Sequence, residues 1–105
     1  MRNASEYDVY IPLSYNDGTP VDPQKIADLK RQLQDRFGGL TFFPQRTEGH
    51  WKVGTVAFRD DIVICRILSE DVRESRAYFL QLKEEMQQAF RQEEVLIVER
   101  KVEVL

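Results

Sequence analysis

Two helical stripes frame this chain, and the stretch between them has no helical period. Ile26, Leu29, Leu33 and Phe37 recur at three- and four-residue steps, as do Val72, Phe79, Leu82, Met86, Ala89 and Phe90. Each set lines one face of a helix. Between them lies Phe37–Leu68, FGGLTFFPQRTEGHWKVGTVAFRDDIVICRIL, which carries the only tryptophan, the only histidine and the only cysteine. A chain with strands between and around two helices is an α+β domain.

The boundaries of the helices are written in their caps. Asp22-Pro23 starts the first: a side chain that accepts from free N–H groups, then a proline at the first helical position. Gly38-Gly39 stops it, because a helix commonly closes on a left-handed glycine. Ser69 or Asp71 opens the second, Asp71 with Glu74 making a capping-box-like pair, and it runs to about Gln92. Tyr78 and Leu80 fall off its apolar stripe and are free to meet something else.

Strands follow from period-two alternation. Tyr7, Val9, Ile11 and Leu13 alternate with Glu6, Asp8, Tyr10 and Pro12, behind an N-terminal arm, residues 1–6, expected to fray. Residues 40–58 are extended, with Thr47–Gly49 as either a bulge or a turn and Arg59–Asp61 as a polar turn. Pro44 places this strand at an edge. Ile62–Leu68 is apolar on both parities, which reads as a strand covered on both faces. In the closing EEVLIVERKVEVL, the charges Glu99, Arg100, Lys101 and Glu103 suit a second edge that resists stray pairing.

The order is strand, helix, two or three strands, helix, strand. That is the pattern of a ferredoxin-like βαββαβ sandwich, with two helices on one face of an antiparallel sheet. The second strand is then either long and bent or split into a hairpin. The 105 residues make a single domain, 1–105. The uncovered face of the sheet is expected to be apolar, and an apolar face of that size marks an interface or a ligand cavity. A homodimer through the open sheet face follows from it.

Composition excludes more than it selects. Charged residues make up 31% and apolar residues 42%, with a net charge of −3. This is the balance of a soluble globular domain, without general attraction to nucleic acid or anionic membranes. No apolar run approaches the ~18 residues of a membrane span. No secretory leader stands at the N-terminus, and Cys65 has no partner for an internal disulfide. A cytoplasmic setting is the expectation. No phosphate loop or dinucleotide fingerprint is present, so no cofactor is expected. One His and one Cys do not make a zinc site, and acidic turn residues beside them read as solvated, so no metal is expected.

The candidate site residues are His50, Trp51, Tyr10 and Arg66. His50 is the one side chain that titrates near neutral pH when unperturbed. Trp51, Tyr10 and Arg66 would supply aromatic and cationic lining to a pocket, against the alternative that Trp51 is packing and His50 is a surface residue. Cys65 lies in an apolar run, which makes a thiol inert. Catalytic residues are unknown.

The runs YDVYIPLSYNDG, FGGLTFFPQ through GHW, and EEVLIVERKVEVL resemble those of a group of small uncharacterised prokaryotic proteins. That resemblance implies a compact single domain and carries no activity. A looser likeness, at the level of fold, is to dimeric α/β-barrel proteins of the ferredoxin-like class. The expected role is a self-associating, non-catalytic binding or interaction module. The alternative is a small-molecule enzyme or ligand binder of the dimeric α/β-barrel type with a pocket near His50 and Trp51.

Overall fold

The structure, a computed structural model, describes residues 1–105. Six elements occur in the order β1 (Arg2–Pro12), α1 (Pro23–Phe37), β2 (Thr41–Val53), β3 (Val56–Ser69), α2 (Val72–Ala89) and β4 (Ile97–Val104). The strands form one antiparallel sheet in the order β2-β3-β1-β4. Residues of one parity on the central strands face both helices: Tyr7, Val9 and Ile11 on β1, and Val63, Cys65 and Ile67 on β3. They pack with Leu29 and Leu33 of α1 and Phe79, Leu82 and Met86 of α2 in one core. Tyr7 and Phe37 stack on either side of this seam against Phe79, with ring centroids 4.1 and 5.2 Å away.

The helix ends follow local chemistry. Asp22 Oδ1 accepts from the Gln24 N–H at 2.9 Å, and Pro23 sits in the first turn. At the other end Gly38 takes φ 83°, a left-handed conformation, and its N–H reaches the Gln34 carbonyl at 2.8 Å. Asp71 accepts from the Glu74 N–H and caps α2, which ends at Ala89 rather than Gln92.

Four sequence expectations change. Residues 1–6 are not a frayed arm: β1 begins at Arg2, and Ala4 and Ser5 are buried by their pairing with β3 and β4. The second strand is long and irregular, but its irregularity lies between Phe43 and Thr47, around Pro44, not at Thr47–Gly49. Proline lacks the N–H that a regular ladder uses, so the register shifts where it stands. The chain reverses at Gly54, φ 60°, between Val53 and Val56, and Arg59–Asp61 continues inside β3. A two-residue reversal of this kind needs positive φ, which glycine adopts without strain. Last, β3 is covered by helices on one face only.

The consequence is a ribbon. Beyond the helices, β2 and β3 run on together as a two-stranded arm from Arg46 to Asp61, mostly exposed, on a molecule measuring 44 × 31 × 24 Å. No helix is long and apolar enough to cross a membrane.

Candidate site on the open sheet face

The face turned away from the helices is built by the other parity of each strand. Alternation puts Glu6, Asp8, Tyr10 and Pro12 of β1 there. Cross-strand pairing adds Ile62, Ile64 and Arg66 of β3, Phe43 of β2, and Val98, Arg100 and Val102 of β4.

Its centre is charged, which corrects the expectation of an apolar surface. Asp8 is only 4% exposed. Arg66 grips it with two bonds, Nε to Oδ1 at 2.8 Å and Nη2 to Oδ2 at 3.1 Å. Arg100 donates to its Oδ2 at 2.6 Å and to Glu6 Oε1 at 2.7 Å. Burial raises the Asp8 carboxyl pKa, and the hydrogen bonds from Arg66 and Arg100 outweigh that, so the group titrates below the usual carboxylate range. Two acids and two guanidiniums cancel, so the quartet has no net charge to attract an ion. Arg66 also lies over the Phe43 ring, 5.0 Å from its centroid. Partly buried apolar residues flank the quartet: Ile64 and Phe43 on one side, and Val98 and Val102 on the other.

The four sequence candidates divide. Tyr10 and Trp51 meet on this face, lining a shallow depression of about 30 Å³ with Pro12, Asp60, Ile62 and Leu96. Arg66 shares the face, with its Nε and Nη2 turned to Asp8. His50 lies on the opposite face of the arm, because adjacent strand residues point opposite ways. There its Nε2 is 3.3 Å from Glu48 Oε2, and Glu48 also accepts from Arg59 at 2.8 Å. The hydrogen bond from Arg59, then that from His50, holds the Glu48 carboxyl below its ordinary range. His50 and Trp51 therefore do not line one pocket, although they are neighbours in sequence.

The arm is two-sided. Trp51, Val53, Val56 and Phe58 share the face continuous with the open sheet, since Trp51 pairs with Phe58 and Val53 with Val56. Glu48, His50, Arg59 and Asp61 fill the other. Trp51 lies over Gly49, where an added Cβ would come within 3.1 Å of its ring. Cys65 is fully buried on the helix side, and burial pushes its thiol pKa up to about 11, which keeps it protonated.

Sequence reasoning missed Glu6, Asp8 and Arg100. Their signal was the pair of acids at alternating positions in an otherwise apolar first strand. Their partners became visible only once the register placed Asp8 opposite Arg66 and Glu6 opposite Arg100.

No family model matches the chain, and no curated protein does. Among solved structures, a phage SAM lyase in complex with S-methyl-5'-thioadenosine is similar in fold, with a TM-score of 0.68 at 16% identity. The match covers 96% of this chain and 83% of that one.

Proposed function

We propose that this chain is a self-associating binding module of the ferredoxin-like βαββαβ class, working in the cytoplasm, whose open sheet face and arm pack against a second copy. The element order and the strand order β2-β3-β1-β4 support the fold assignment. One observation carries the function: no helix covers the apolar side chains that run from Val98 and Ile64 past Tyr10 onto the arm, where Trp51, Val53 and Val56 are exposed. A two-stranded ribbon is marginal in water on its own. One that is apolar on a single side gains stability by covering that side. The quartet at the centre is tolerated by such a face because its charges are already paired, although covering the half-exposed Arg66 and Arg100 still costs desolvation. Ile64→Glu places an unpaired charge in the middle of this surface. The variant is expected to stay folded and to lose the open-face contact, with a smaller mass in light scattering than the parent. A parent and a variant of equal mass contradict the proposal.

A second reading has its own support: a small ligand at Tyr10 and Trp51. Two aromatic side chains converge beside Asp60, and the similar fold of the phage SAM lyase was solved with S-methyl-5'-thioadenosine. Enclosed ligand sites measure roughly 300–1,000 Å³, so a depression this shallow needs a partner surface to close it. Trp51, the sole tryptophan, reports on that site directly. Titration with S-methyl-5'-thioadenosine should shift its fluorescence in the parent and not in Tyr10→Ala. No shift in the parent removes this ligand from consideration.

A further inference from the structure

The outer edge of β4 has a feature that the open face does not explain. The Tyr10 N–H donates to the Leu96 carbonyl at 3.0 Å. Along the same register, the even-numbered residues of β4 therefore turn their N–H and C=O groups toward β1. Ile97, Glu99, Lys101 and Glu103 turn theirs outward. β4 is an edge strand, so this row of backbone groups has no strand beside it.

The side chains above that row are unevenly satisfied. Glu99 accepts from Tyr7 at 2.6 Å and from Arg76 at 2.6 Å. Lys101 and Glu103 form no ion pair within the chain, although both stand on the helix side of the same strand as Glu99. Next to them is a groove of about 220 Å³ between α2 and β4, lined by Phe79, Leu80, Lys83, Ile97 and Glu99. Leu80, the residue off the helical stripe, is 63% exposed there.

We infer that β4 pairs antiparallel with β4 of a second copy about a two-fold axis at Arg100, joining two sheets into one of eight strands. The charges select this register. With the axis at Arg100, Glu99 stands opposite the second copy's Lys101, and Ile97 opposite its Glu103, while Lys83 in the groove keeps its own partner, Glu94, at 2.9 Å. Val98 meets Val102 on the open side. The two Arg100 side chains face each other, each already neutralised by Glu6 and Asp8. A shift of one residue either way destroys the match. Centred on Lys101, the pairing sets Lys101 against itself and Glu99 against Glu103. Centred on Glu99, it sets Glu99, already held by Arg76, against itself and Lys101 against Ile97, so both Glu99–Lys101 contacts are lost. Like charges directly opposite are destabilising. The same charges that resist arbitrary strand addition thus permit a single self-pairing. The symmetric, isologous geometry is the commonest one for homodimers. It uses the strand's edge rather than its face, so it is compatible with face packing and leads, with it, to a four-chain assembly.

Cysteine pairs read the register. Facing residues at a position not hydrogen-bonded across the new seam have Cα atoms about 4.5 Å apart, within disulfide reach. Val98→Cys/Val102→Cys is expected to oxidise to a covalent dimer, while Val98→Cys alone stays monomeric under the same oxidation. A monomeric double variant, or equal cross-linking of the single one, overturns the pairing. Adding Lys101→Pro removes only an outward N–H, and should abolish the cross-link while far-UV circular dichroism stays unchanged. A cross-link that survives it contradicts the pairing. Adding Ile64→Glu separates the two interfaces: the cross-link persists if the edge holds it, and its loss assigns the contact to the open face instead.

Discussion

The two faces of this sheet are made from the same four strands, yet they solve different problems. On the covered face, Val9, Ile11, Cys65 and Ile67 are wholly buried against the helices and nothing there carries a formal charge at the centre. On the open face, the centre is Asp8 between Arg66 and Arg100, with Glu6 alongside. Burial under helices removes water entirely, so an apolar lining is the stable choice. A face without a layer over it keeps some water, and ion-paired side chains with long aliphatic stems can cover it. The contrast teaches that an apolar alternation on both parities does not by itself predict two covered faces.

Substitutions on the covered face are expected to cost most. Leu33→Ala, at a site with no exposure, should cost about 3 kcal/mol in denaturant unfolding. An effect below about 1 kcal/mol would mean the helix layer packs loosely. Next comes the quartet. Asp8→Asn leaves two guanidiniums side by side without their carboxylate and should cost about 2 kcal/mol at neutral pH. The folded Asp8 pKa lies below the unfolded one, so its contribution is present above the usual aspartate range. It is lost as pH falls through the lower, folded value. The stability gap between parent and Asn variant should therefore close in acid, and a constant gap would place the effect elsewhere.

Tyr7→Phe probes the seam where the covered face meets β4. It keeps the ring stacked on Phe79 and deletes the hydroxyl bonded to Glu99. The expected cost is about 1 kcal/mol. Burial, then the Glu99 bond, pushes the Tyr7 pKa up to about 12 from 10.0. The folded value is raised, so the neutral hydroxyl's contribution is full below pH 10 and disappears as pH rises through about 12. Melting curves across that window check it. The smallest effect is expected at His50→Ala, whose exposed contact with Glu48, 3.3 Å away, should leave stability within about 0.5 kcal/mol.

Much of this architecture was legible in the residues. Asp22-Pro23, Gly38 and Asp71 set helix ends to within a few residues, because caps act locally. Pro44 and the charged tail placed β2 and β4 at edges, because backbone donors are counted strand by strand. The arm was not legible. Gly54 reverses the chain inside what reads as one extended run, and Arg59–Asp61, polar enough for a turn, pairs instead with Glu48–His50. The quartet was hidden for a related reason: it joins residues 58 and 92 positions apart, and only the register of three strands brings them together. His50 and Trp51 looked like a unit because they adjoin in sequence, yet strand alternation sends them to opposite faces.

If another copy of the chain covers the open face, the parent protein is an oligomer in solution. The most direct measurement is the mass of the parent protein by sedimentation velocity at micromolar concentration. A particle of two or more chains of 12.4 kDa each is expected, shrinking on dilution or with Ile64→Glu. A single species of 12.4 kDa that does not change with concentration would contradict it.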